Sequence, residues 1–136
     1  MARKALHKIE LKLLFMVLVS TFALWNCNRA KVGSIKPENV KAEIQSGATV
    51  LDVRTPSEFA SGHIAGAKNI SIDSADFLGA ANTLDKKGTY VVHCSANVPK
   101  GRTDRAIEQL RSIGFQNLLS MTGGIAAWKE KGFPTE

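Results

Sequence analysis

The residues able to do chemistry crowd into one stretch, YVVHCSANVPKGRTDRA, residues 90–106. Cys94 closes an apolar, β-branched run, and Arg102 stands eight positions later, after a glycine and at the expected start of a helix. A helix N-terminus carries unpaired N–H groups and the positive end of the peptide dipoles, so a thiol delivered there by a strand is expected to ionise more readily than its reference value of ~8.5 allows. Thiolate is the nucleophilic form of cysteine. The same turn suits an anion, and a guanidinium at its far end adds a planar pair of donors. The expected substrate is therefore a small anion, or an anionic group on something larger. Cys94 and Arg102 are the candidate catalytic residues, and Ser95, Ala96, Asn97, Val98, Lys100, Gly101 and Arg102 are the expected substrate contacts. Two plainer readings stay open for Cys94: a buried small hydrophobe, or a disulfide to Cys27, the only other cysteine. Lys100 taken alone reads as a solvent-facing loop residue.

The other ionisable candidates look structural. His93 neighbours Cys94, but adjacent residues of a strand face opposite ways, so a direct dyad is not expected; His93 should pack and bond to backbone near the loop. His63 follows Gly62 and is expected to hold a turn. No set of His, Cys and carboxylates has metal-ligand spacing, so neither a metal nor another cofactor is expected.

The elements that must position this loop alternate in type. Pro37 suits the first turn of a helix running to about Ser46-Gly47, and ATVLDV (48–53) reads as a buried strand. Thr55 and Glu58 form a capping box for a short helix. AKNISI (67–72) suggests a brief strand, SADFLGAANTL (74–84) a helix capped by Ser74, and GTYVVHC (88–94) the third clear strand. TDRAIEQLRSIG carries apolar residues at helical spacing, NLLSM (117–121) is a further strand, and GIAAWKEKG closes as a helix with Trp128 inward. Strands joined by helical crossovers predict a single α/β domain whose parallel sheet is covered on both faces, with ligands beyond the carboxyl ends of its strands. Cys94 falls at that edge.

The length of 136 residues accommodates one such domain. Of the net charge of +6, half lies ahead of residue 28, where Arg3, Lys4, Lys8 and Lys12 oppose Glu10 alone. Basic residues are not interleaved with aromatics, so nucleic-acid binding is not expected. The basic start precedes an apolar run of 13 residues, LLFMVLVSTFALW, shorter than the roughly 20 needed to span a bilayer. Residues 1–27 thus read as an export signal. LWNC resembles the lipobox of bacterial lipoproteins, which implies lipidation of Cys27, although Trp25 and Asn26 stand where small residues are usual. An uncleaved signal anchor is the alternative. Both place the domain in the bacterial cell envelope, outside the cytoplasmic membrane and held to it by lipid or peptide, with residues 28–34 as a tether and 35–136 as the folded unit.

Three segments, VLDVRTPSEFASGHIAGAKNI, YVVHCSANVPKGRT and MTGGIAAWKEKGFP, resemble in order the hallmark blocks of rhodanese domains. The first contributes Asp52, Arg54, Glu58, Gly62, His63, Ile64, Gly66 and Asn69, and the last Gly123, Gly124 and Trp128; in that family these positions support the fold. The resemblance implies a sulfurtransferase: Cys94 takes a sulfane sulfur from a small anionic donor such as thiosulfate, becomes a persulfide, and passes the sulfur to a thiol or cyanide acceptor. The identity of any protein partner is left open. The spacing departs from the family pattern, since sulfurtransferase loops read C-x4-R and related phosphatases C-x5-R, while Cys94 to Arg102 is C-x7-R. With two residues removed, HCSANVPKGRT is also similar to the loop of protein tyrosine phosphatases. A cysteine-dependent phosphatase or oxyanion reductase is thus the alternative activity, and a non-catalytic, lipid-tethered binding or redox module is a third reading.

Overall fold

The computed structural model describes residues 30–96 and 98–136. The expectations for residues 1–27, Cys27 among them, and for Asn97 lie outside the described residues. The elements run β1 (Lys31–Ile35), α1 (Pro37–Gln45), β2 (Thr49–Asp52), α2 (Pro56–Ala60), β3 (Lys68–Asn69), α3 (Phe77–Ala81), β4 (Thr89–His93), α4 (Arg102–Ser112), β5 (Asn117–Met121) and α5 (Gly124–Glu130). All strands are parallel, in the order β1-β5-β4-β2-β3. This is the predicted α/β architecture.

The apolar run of β4 is central and buried on both faces, as strands of parallel sheets are. Its alternation divides the core. Tyr90, Val92 and Cys94 join Leu51 and Val53 against Phe77 of α3 and Ala106 and Leu110 of α4. Val91 joins Val50 on the other face against Val40 of α1 and Ile125 and Trp128 of α5. The register pairs Asp52 with His93, so these two share the carboxyl end of adjacent strands while Cys94 belongs to the opposite face.

Helix α4 carries the site's arginine, and its own sequence sets its limits. Thr103, Ala106, Ile107 and Leu110 form the buried stripe. Gly114 takes the left-handed conformation (φ +98°), donating to Arg111 O, while the Phe115 amide donates to Leu110 O. These two bonds satisfy the last carbonyls, and they turn Phe115 back into the core, where burial of such a ring contributes about 1.5–3 kcal/mol.

Three boundaries differ from expectation. Of the tether expected over 28–34, Lys31–Ser34 belong to β1, because the free edge of β5 supplies a ladder for a segment too short to announce itself as a strand. The strand expected over 67–72 is limited to Lys68–Asn69, although the Ile70 and Ile72 amides continue to donate to Asp52 O and Val53 O. The helix expected over 74–84 is the shorter α3: Asp76 occupies its N-cap, Ser74 Oγ accepts from the Asp76 amide, and the Thr83 hydroxyl bonds back to Ala80 O where the helix has ended. Among the described residues, no helix is long and apolar enough to cross a membrane.

Candidate active site

Cys94 sits one residue past β4 and is 3% exposed. Its Sγ lies 3.2 Å from Ala96 O, a contact in which the thiol is the donor. The partner seen here is thus a carbonyl of the loop, whereas an anionic terminal sulfur on this cysteine would need N–H groups. Among the described residues, Cys94 is a free cysteine.

The start of the loop is clamped from the far side. The Ile125 amide donates to Cys94 O at 2.9 Å and the Ala126 amide to Ser95 O at 3.0 Å. Such an approach requires bare backbone at Gly124: a Cβ there would stand 2.5 Å from Cys94 O and 2.9 Å from Ser95 O, and its φ of +58° already disfavours a side chain. Gly123, also left-handed, would drive a Cβ to 2.4 Å from Ala127 Cβ. The glycine pair therefore belongs to the site as well as to the fold. Trp128 on the same helix anchors it, donating from Nε1 to Pro134 O and packing on Phe133.

The far end of the loop is closed by a network centred on Glu58. Arg102, first residue of α4, donates from Nη1 to Glu58 Oε2 (2.7 Å) and from Nη2 to Glu58 Oε1 (2.8 Å) and Ser95 Oγ (2.7 Å); the Ser95 hydroxyl donates to Glu58 Oε1 (2.7 Å). Glu58 also completes the predicted capping box, accepting from the Thr55 amide and hydroxyl through Oε2. The Arg102 guanidinium, seconded by Ser95 and Thr55, holds the Glu58 carboxyl well below the usual carboxylate range against the opposing effect of burial. Glu58 in turn raises the affinity of Arg102 for its proton. One carboxylate therefore ties α2 to both ends of the loop, 37 and 44 positions away in sequence. The capping signature identified Glu58 as a helix residue; no local spacing connects it with Arg102.

The remaining candidates are divided between loop and support. Val98 and Lys100 are exposed, Lys100 is left-handed (φ +56°), and its amide is held by Asp104 Oδ2 at 2.8 Å. Gly101 turns the chain into α4, its amide donating to Val98 O, and a Cβ there would meet that carbonyl at 2.7 Å. Ala96 is exposed beside Cys94. Beneath the site Arg54 binds the buried Asp52 carboxylate through Nε and Nη2 and donates to Gly62 O, locking the turn after β2. Asn69 reinforces it by donating to Asp52 O and Arg54 O. His63 stacks on Phe59 and its Nδ1 bonds Phe59 O, as a turn-holding residue should. His93 is fully buried, its Nδ1 against Cys94 O at 3.2 Å and its Nε2 3.8 Å from Asp52 Oδ2. Burial pushes its imidazole toward the neutral form, and it forms no dyad with the thiol. Among the described residues, no group of three or more His, Cys, Asp or Glu side chains is placed to hold a metal ion.

The chain is similar to known proteins in sequence and fold. Residues 36–131 match the rhodanese-like domain family. The chain is 37% identical over 97 residues to a protein named thiosulfate sulfurtransferase GlpE from Pseudomonas aeruginosa, covering 70% of this chain and 82% of that one. It is 33% identical over 104 residues to an uncharacterised protein from Synechocystis, covering 75% of this chain but 55% of that longer protein. A crystal structure of a rhodanese-related protein from Thermoplasma volcanium superposes with a TM-score of 0.66 at 32% identity, over 76% of this chain and 97% of that one. With its five-stranded parallel sheet, its cysteine at the tip of the central strand and these relatives, the chain belongs to the rhodanese-like domain family.

Proposed function

We propose that the domain is a sulfurtransferase carrying sulfane sulfur on Cys94. The observation that bears most weight is the fixed start of the loop: the Cys94 carbonyl is held by the Ile125 amide at the tip of β4, and among the described residues Cys94 is a free cysteine. The thiol loses its proton to solvent and turns from Ala96 O. The thiolate attacks the outer sulfur of a donor such as thiosulfate, forming a Cys94 S–S bond as the donor's own S–S bond breaks and its electron pair leaves on sulfite. A thiolate or cyanide then attacks the outer sulfur of the persulfide, leaving with it as a new persulfide or thiocyanate and returning Cys94 as thiolate. Arg102, Ser95 and Glu58 hold the loop's far end throughout. In the same reading, the domain works in the bacterial envelope, tethered to a membrane through the segment ending at Cys27.

The test is the intact mass of the protein after exposure to thiosulfate, beside Cys94→Ser. A gain of one sulfur in the wild type alone supports the proposal. No gain, together with hydrolysis of an aryl phosphate that depends on Cys94 and Arg102, replaces it with phosphatase chemistry; Asp104, the carboxylate nearest the loop in sequence, is bound to the Lys100 amide and is a poor candidate for the general acid such a reaction needs. Neither reaction would leave a binding module.

A further inference from the structure

The guanidinium expected to receive an anionic donor already has one. Both nitrogens at the end of Arg102 are engaged by the Glu58 carboxylate, Nη2 also by Ser95, and Asp73 Oδ2 stands 3.8 Å from Nη1. Asp73 in turn binds Arg105 at 3.0 Å. Around the closing end of the loop, Glu58 and Asp73 stand against Arg102 and Arg105, charge for charge, while Asp104 Oδ2 accepts from the Lys100 main-chain amide. Protonation does not release Arg102 at ordinary pH, because Glu58 is held far below the usual carboxylate range. A dianion entering here meets a guanidinium whose charge Glu58 already offsets, so the greater cost of taking its second charge out of water is not repaid.

We infer that Glu58 is a specificity-determining residue that makes this site select sulfane donors carrying a single negative charge, such as organic thiosulfonates and persulfides, over dianionic thiosulfate. The inference rests on the proposed sulfur transfer and names the charge class of its donor. With methanethiosulfonate, which differs from thiosulfate by a methyl group in place of one charged oxygen, Cys94 thiolate takes the outer sulfur and methanesulfinate leaves with the electron pair of the broken S–S bond. Atoms and charge balance as they do for thiosulfate and sulfite.

The experiment compares kcat/KM for methanethiosulfonate and thiosulfate in the wild type and in Glu58→Gln, at low and high salt. The wild type should favour the monoanion. Glu58→Gln keeps a hydrogen-bonding group of the same shape but removes its charge, and it should shift the ratio toward thiosulfate by about threefold or more, mainly through KM, with the shift shrinking as salt screens it. A structural role alone lowers both activities together and leaves the ratio unmoved, which overturns the inference. Asp73→Asn, which spares the capping box, should shift the ratio the same way by less, and a shift in the opposite sense counts against the proposal. Alkylation of Cys94 by iodoacetate and by neutral iodoacetamide separates this inference from the sulfurtransferase reading. If no sulfur is transferred from either donor, the sulfurtransferase reading fails, while a rise in the iodoacetate to iodoacetamide rate ratio in Glu58→Gln still sustains charge selection. An unchanged ratio, or a Cys94 that neither reagent reaches, refutes it.

Discussion

Gly124→Ala isolates the clamp that fixes the Cys94 backbone. The added Cβ would lie 2.5 Å from Cys94 O, 2.9 Å from Ser95 O and 3.0 Å from Ala96 N, so backbone must move on one side or the other. Two amide bonds across this contact, from Ile125 and Ala126, are put at risk, each worth about 1 kcal/mol net. Holding alanine at φ +58° costs roughly 1–2 kcal/mol more. The expected loss is about 2–4 kcal/mol. Gly132→Ala supplies the control: its φ is +72° but a Cβ there would meet nothing within 4 Å, so it bears the conformational cost alone, about 1 kcal/mol. Urea midpoints of the two variants and the wild type, read at constant m, give the difference, and sulfur uptake at Cys94 shows whether the displaced carbonyls carry the thiol out of position. If both variants lose the same stability, or if Gly124→Ala stays within about 0.5 kcal/mol of wild type with normal uptake, the clamp is not what holds the loop.

Three further outcomes are expected. Arg102→Lys keeps the charge but loses the fork that spans Glu58 and Ser95; sulfur-transfer turnover should fall about tenfold, while stability changes by less than about 1 kcal/mol because the pair is partly solvated, and unchanged turnover would remove the loop-closing role. His93 has its folded-state pKa lowered by burial, so its neutral form stabilises the fold above the unfolded value of about 6.5; that contribution is lost as pH falls through this value toward the folded one, and His93→Gln should flatten the resulting slope in denaturation midpoints between about pH 7 and pH 5. An identical slope in the variant assigns the loss to other groups. In the full chain, Cys27→Ser should move the protein from the detergent phase to the aqueous phase on partition, and an unchanged partition argues against a lipid tether.

Much of the fold was legible because its signals are local. NLLSM became β5 at the expected residues, Pro37 opens the first helix, and the helix from Arg102 buries its apolar stripe and stops at Gly114. Apart from the shortened helix α3, the failures lie at the edges of the sheet. β1 draws its order from β5 and has little pattern of its own, and β3 ends where β2 turns away, a limit no residue in AKNISI encodes. At the site, the period of two along a strand is enough to put Cys94 and His93 on opposite faces, and the packed sheet keeps them there.

From the sequence alone came the candidate cysteine, its station at a strand's carboxyl end, the arginine that follows and the family they resemble, since each depends on residue type and short-range periodicity. The tertiary structure decided what those groups meet: Glu58 on Arg102, the α5 amides on the Cys94 and Ser95 carbonyls, Ala96 O on the sulfur. These contacts join segments that are distant in the chain, and charge compensation or close backbone approach depends on distances that only the packed sheet and its helices define.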